Sequence, residues 1–139
     1  MITDIFTVVC SDNVAASRDF YVDLFGFEVI FEADWYVQLQ GQDPHRRQLG
    51  IVAREHDSVP ERFRERPAGF LVSVEVDDVD AVHDRAVAAG HRMELTLRDE
   101  DWGQRHFITA DPDGAAVDVI TRIAPSPEFA ALYSEGASA

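Results

Sequence analysis

The chain repeats itself. Asp12 and Asp78 stand 66 residues apart, each between an apolar strand pattern and a helical stripe. Asp43-Pro44 and Asp111-Pro112 stand 68 residues apart, each ahead of a closing strand pattern. Self-similarity at a near-fixed spacing means one supersecondary unit used twice. Each half reads strand, helix, then three strands, so we expect an α+β chain of two tandem βαβββ modules. A small change in helix length would account for the two offsets. Module one covers about 1–53, a linker 54–69, module two about 70–122 and a tail 123–139, all within one domain of 139 residues.

In module one, Ile5–Cys10 alternates as a strand, with Phe6, Val8 and Cys10 on one face and Ile5, Thr7 and Val9 on the other. Asp12 is the expected cap of a helix over Asn13–Phe25, whose stripe is Val14, Ser17, Tyr21 and Leu24, with Phe20 and Phe25 beside it. Gly26 stops it. Strands follow at Phe27–Ala33, Trp35–Gln40 and Gln48–Ala53. Module two repeats this with a strand at Phe70–Val76, a helix at Val79–Ala89 capped by Asp78, and a strand at His91–Leu97. Arg98–Gly103 reads as an acidic loop carrying Trp102, and Gln104–Ala110 and Ala115–Thr121 form a closing hairpin. In its turn Pro112 sets φ, Asp113 accepts a local backbone bond and Gly114 takes a positive φ. The charged linker, with Pro60 and Pro67, reads as solvated with one helical turn. In the tail, Ser126-Pro127-Glu128 starts a helix that lets Phe129, Leu132 and Tyr133 dock on the body or a partner, and Glu135–Ala139 fray.

Charge narrows the function classes. Twenty-six acidic residues against twelve basic ones give a net charge of −14. That excludes the basic footprint that nucleic acid or an anionic membrane requires, and it draws cations towards any cleft. One cysteine, Cys10, excludes an intrachain disulfide and a thiolate metal cluster; its apolar setting reads as a buried, inert thiol. The start MITDIFTVVCSDN has neither a basic region nor a long apolar run, so the expected location is cytoplasmic. No nucleophile elbow, phosphate loop or dinucleotide fingerprint occurs.

Several motifs together carry a family resemblance. Asp12…Phe20-Tyr21…Leu24-Phe25-Gly26-Phe27 resembles the opening of the vicinal-oxygen-chelate superfamily of glyoxalases, bleomycin-resistance proteins and extradiol dioxygenases. Val76-Asp77-Asp78-Val79-Asp80…Ala88-Ala89-Gly90 and Trp102-Gly103-Gln104-Arg105…Asp111-Pro112-Asp113-Gly114 resemble its second-half signatures. The resemblance implies paired βαβββ modules forming an incomplete barrel around a cup-shaped cleft, commonly in dimers. It also implies metal-ligand positions in the first and last strand of each module, which fall here on Ile5, Gly50, Leu71 and Asp118. Only Asp118 could bind a metal, and an open catalytic site needs about three protein ligands. The resemblance is therefore nearest to the metal-free, bleomycin-resistance-like branch, with no cofactor.

Strand parity places Thr7, Tyr36, Gln38, Gln40, Ser73, Glu75, His106, Ile108 and Asp118 along the cleft, and Trp35 and Trp102 sit where they could flank a ligand. The expected protein is a metal-independent homodimer that sequesters a cationic or aromatic drug-like small molecule. Asp118 would be an acidic contact for a cation, a hydrogen-bonding group or a ligand in an unusual metal site with Glu75 and His106. The rival is a lyase, isomerase or dioxygenase-like enzyme using a shifted metal site or Glu75, His106 or Asp118 as general base. His45, in a turn, is a weaker candidate; His56, His83, His91, Arg46-Arg47 and Arg62…Arg64…Arg66 read as surface charge, and Arg105 as a residue of the cleft rim.

Overall fold

The computed structural model describes residues 1–134, so Glu135–Ala139 lie outside the described residues. The chain is α+β, and each βαβββ run builds its own open, four-stranded mixed sheet; neither closes into a barrel. Two compact units result. The first holds Met1–Phe70 with the turn Asp111–Ala115; the second holds Leu71–Ala110 and the chain from Ala116 onward. Among the described residues no helix is long and apolar enough to cross a membrane.

In the first unit, β1 (Thr7–Ser11), α1 (Val14–Phe25), β2 (Glu28–Glu32), β3 (Tyr36–Gln40) and β4 (Gln48–Ala53) come in order. The sheet order is β1-β4-β3-β2, with β4 parallel to β1 and the other pairs antiparallel. The crossover through α1 is what a parallel pair demands. α1 buries Val14, Ser17, Phe20, Tyr21 and Leu24 on the sheet face that carries Val9, Val37, Leu39 and Ile51. Each of these larger apolar side chains contributes about 1.5–3 kcal/mol by leaving water. The rings of Phe20, Tyr21, Phe25 and Phe27 meet at centroid distances from 5.0 to 6.5 Å.

The helix cap differs from expectation. Asn13, not Asp12, caps α1: its side chain accepts from the Ala16 N–H at 3.0 Å. Asp12 instead pairs with Arg54 at 2.7 Å. The turn at Asp111–Gly114 also divides its work differently. Asp111 accepts the local bonds, from Asp113 N and Ala115 N at 2.9 Å each. The Asp113 carboxylate reaches the Asp12 N–H at 2.7 Å and the Ser17 hydroxyl, while the Tyr21 hydroxyl donates to Asp111 at 2.8 Å. Both aspartates are buried. Burial pushes the Asp111 carboxyl up, against the bonds it accepts.

The linker is largely solvent-exposed, as expected, and is also pinned at a few points. A single 3-10 turn occupies Glu61–Phe63. Arg64 donates to the Val59 carbonyl at 2.8 Å, and Arg54 to the Arg64 carbonyl at 3.0 Å. Val59 is buried.

The second unit runs β5 (Leu71–Glu75), α2 (Val79–Ala88), β6 (Leu95–Glu100), β7 (Gln104–Ala110), β8 (Ala116–Arg122) and α3 (Pro127–Ala130), in sheet order β5-β8-β7-β6. Asp78 caps α2 as expected, accepting from Ala81 N at 3.1 Å. Val79, Val82 and Ala86 cover Phe107, Val117 and Val119, while Ala89, expected in the stripe, is exposed. The β6 strand lies further along than His91–Leu97: residues 89–94 connect, and Arg98–Glu100, expected in a loop, belong to the strand. Only Asp101-Trp102-Gly103 turn the chain, with Gly103 at φ 107° where a side chain would be strained. The repeat offset therefore grows through a shorter helix followed by a longer connection, not through helix length alone.

Both sheets carry an irregularity in the corresponding strand, between Val29 and Phe31 in β2 and between Leu95 and Arg98 in β6. Each extra residue reverses the alternation and re-aims the side chains beyond it. Phe31 shares a face with Gln38, and Arg98 with His106.

Candidate functional site

The sheet face of the first unit that α1 does not cover holds a cavity of about 540 Å³. Val8, Phe31, Trp35, Tyr36, Gln38 and Val52 line it from the strands, and Ser58 and Val59 from the linker. Trp35 stacks on His56 with ring centroids 3.9 Å apart and planes 10° from parallel, and His56 is tied to Ser58 at 2.8 Å. This contact fixes the indole at the cavity wall. A histidine that the sequence placed on the surface is thus part of the wall's support.

One polar chain crosses this apolar lining. The Tyr36 hydroxyl donates to the Gln38 carbonyl oxygen, and the Gln38 amide donates to Gln48 at 2.7 Å. Gly50 lies beneath the ring: a Cβ there would sit 2.5 Å from the Tyr36 oxygen and 2.9 Å from Val8. Burial raises the Tyr36 hydroxyl above the ordinary tyrosine range.

The second unit has its own polar cluster. His106 is buried; its Nδ1 lies 2.8 Å from Asp118 and its Nε2 3.1 Å from Glu100, which also pairs with Arg98. Burial alone would lower the imidazole's pKa, but Glu100 and Asp118 together outweigh it and hold the proton more tightly than usual. His106 and Arg98 hold Glu100 below the ordinary carboxylate range. Trp102 meets His106 edge-on at 6.2 Å and Phe129 at 6.3 Å, and its carbonyl accepts from the Tyr133 hydroxyl at 2.9 Å. The tail thus docks Phe129 and Tyr133 on the β6–β7 turn, while Leu132 is exposed.

The structure sorts the residues expected at the cleft. Trp35, Tyr36 and Gln38 line the cavity. Gln40 shares their face, beside Gln48 and outside the lining. Thr7 is on the opposite face, because β1 pairs Thr7 with Leu49 and Val8 with Gly50; Val8 takes the cavity position. Ser73, Ile108 and Asp118 sit side by side across the second sheet, with Ser73 exposed. Glu75 is exposed and spent on Arg122 at 3.0 Å, so Glu100 completes the histidine and two-carboxylate set in its place. Arg105 pairs with Asp80 and Asp99, on the α2 side of the sheet rather than at a cleft rim. Cys10 is only half-buried, with its sulfur 3.8 Å from the Phe63 carbonyl; burial, offset by Arg54, raises its thiol.

Sequence reading missed Val8, Phe31, Val52, Ser58, Val59 and Glu100. Val52 had a signal, since it alternates with Gly50, and Glu100 had one in the tight turn that Gly103 permits. Phe31 had none, because its facing depends on the irregularity in β2.

The sequence pattern of the Glyoxalase/Bleomycin resistance protein/Dioxygenase superfamily matches residues 5–119. The chain belongs to this superfamily. Its fold is similar to a superfamily member from Sphaerobacter thermophilus DSM 20745, at TM-score 0.70 and 20% identity over 88% of this chain and 99% of that one. It is also similar to a family enzyme from Burkholderia phytofirmans PsJN, at TM-score 0.72 and 21% identity over 85% and 97%. Lactoylglutathione lyase from Agrobacterium tumefaciens is similar at TM-score 0.67 and 20% identity over 86% and 94%. No curated protein matches the sequence. These likenesses establish the fold, which hosts unrelated chemistries.

Some members of the superfamily use a divalent metal, and the residues of this member do not fit one. Ile5 precedes β1 and is exposed, and the neighbour of Gly50 across the ladder is Val8. Leu71 is exposed, and the neighbour of Asp118 is Ser73. Asp118 and Glu100 take different nitrogens of His106, flanking the ring instead of converging. Among the described residues no three His, Cys, Asp or Glu side chains are placed to hold a metal ion.

Proposed function

We propose that this superfamily member is a metal-independent binding protein that holds an aromatic, drug-sized molecule in the first unit's cavity and leaves it chemically unchanged. The cavity carries the proposal. At about 540 Å³ it is the size of a small-molecule site, with three aromatic residues and one buried amide in its wall. Val8 on β1 and Val52 on β4 give it apolar surface. Among the described residues the lining contains no carboxylate, so it favours the aromatic half of the expected ligand over the cationic half.

The enzymatic rival has less support. Both nitrogens of His106 are engaged by carboxylates, which leaves none to exchange a proton with a substrate. The raised thiol of Cys10 makes a poor nucleophile. We also propose a homodimer, because the edge strand β2 exposes Val29, Ile30 and Phe31 next to an unpaired ladder.

The test is calorimetric titration with a panel of bicyclic and tricyclic aromatic compounds, with and without chelator, and then mass analysis of the recovered compound. The expected result is chelator-insensitive binding, intact compound, and an affinity loss of at least about tenfold in Trp35→Ala. Conversion of the compound, or binding that appears only with added metal, would overturn the proposal.

A further inference from the structure

We propose that the Tyr36–Gln38–Gln48 chain reads one edge of the ligand, so that the cavity selects an uncharged planar ring carrying a hydrogen-bond donor beside an acceptor, as in a lactam. The inference rests on the cavity being the ligand site and names the class of molecule it takes.

Gln38 lines the cavity and is 9% exposed, so its amide has little contact with bulk water. Its oxygen receives the Tyr36 proton, and one of its N–H groups is given to Gln48. The second N–H of Gln38 and the lone pairs of the Tyr36 oxygen enter no other bond among the described residues. Two hydrogen-bonded residues of the lining, Tyr36 and Gln38, are therefore left with one acceptor and one donor between them for a ligand. Reversing both glutamine amides swaps which group donates and keeps the pair, so the reading does not depend on amide orientation.

The rest of the wall fixes the other properties. Val8, Phe31, Trp35, Val52 and Val59 offer flat or apolar surface, which suits a ring. Among the described residues no lining group apart from Tyr36 is ionisable, and a cation would lose its water with no carboxylate to replace it. Gly50 makes the edge possible. Any Cβ at this position meets the stiff tyrosine ring and the branched Val8, so Gly50→Ala displaces the Tyr36 oxygen from Gln38.

Three probes of one ring system test this by calorimetry at pH 7.5: 2-quinolone, which has the donor and acceptor; N-methyl-2-quinolone, which lacks the donor; and N-methylquinolinium, which is a cation. The expected result is that 2-quinolone binds at least about tenfold tighter than either analogue. In Gln38→Leu and Gly50→Ala the two quinolones should converge to within about threefold. Retained binding of N-methyl-2-quinolone shows that each variant is folded and its cavity open, and Tyr36→Phe supplies the same test should a core variant fail to fold. Equal binding of all three by the natural protein, or tightest binding of the cation, would overturn edge reading while leaving the cavity as an aromatic site. Failure of every probe, together with failure of the wider aromatic panel, would overturn both.

Discussion

His106 shows how one side chain can be fully committed. With a carboxylate on each ring nitrogen, it is a charge clamp between the end of β6 and the middle of β8. Its proton is held above the ordinary histidine value, so its contribution to stability is complete below about pH 6.5 and is lost as pH rises through the raised folded value. A two-dimensional NMR titration should therefore give a His106 midpoint above 6.5. Thermal melts should show the advantage of the natural protein over His106→Gln shrinking from pH 6 towards pH 9. A midpoint at or below 6.5 would mean that burial, not the carboxylates, dominates. Parity puts His106, Asp118 and Glu75 on one face, but a shared face is not a contact. Glu75 stands across from Ile120 and turns to Arg122, while Glu100 approaches through strand pairing from the other side.

At the scale of elements, small features decide what faces where. Alternation in β2 and β6 reads correctly up to the irregularity and is inverted beyond it, which is how Phe31 reaches the cavity. The sequence pattern puts the cap of helix α1 on Asp12, and the structure moves it one residue on: Asn13 has the extended backbone and the bond to Ala16, while Asp12 lends its N–H to Asp113. Asn13→Ala should cost about 0.5–2 kcal/mol in chemical denaturation. Asp12→Ala should cost no more than about 1 kcal/mol, because its side chain makes only partly exposed ion pairs and its backbone bond survives the change. The reverse ranking would return the cap to Asp12.

For the whole molecule, the edge of the first sheet is the question that solution behaviour answers. A β2 edge carrying Val29, Ile30 and Phe31 is an aggregation hazard unless another chain covers it. Sedimentation equilibrium should find a dimer, and Ile30→Lys should shift it to monomer by placing a charge in that contact. A natural protein that sediments as a monomer at micromolar concentration would refute the dimer.

The sequence by itself determined the architecture. Hydrophobic period, helix stops and the doubled Asp-Pro turns each act over a few residues, so they are readable locally, and their repetition gives two βαβββ modules; the superfamily came from the resemblance of the motifs and the pattern match over residues 5–119. It also determined that Ile5, Gly50 and Leu71 offer no side-chain ligand atom, since that is a matter of side-chain chemistry alone. Only the tertiary structure decided the site. Val8 replaced Thr7 because the β1–β4 pairing register sets the facing, Ser58 and Val59 arrived because Arg54 and Arg64 fold the linker back, and Glu100 replaced Glu75 because a three-residue turn extended β6. Each depends on partners far away in the chain, and period and propensity carry no information about such contacts.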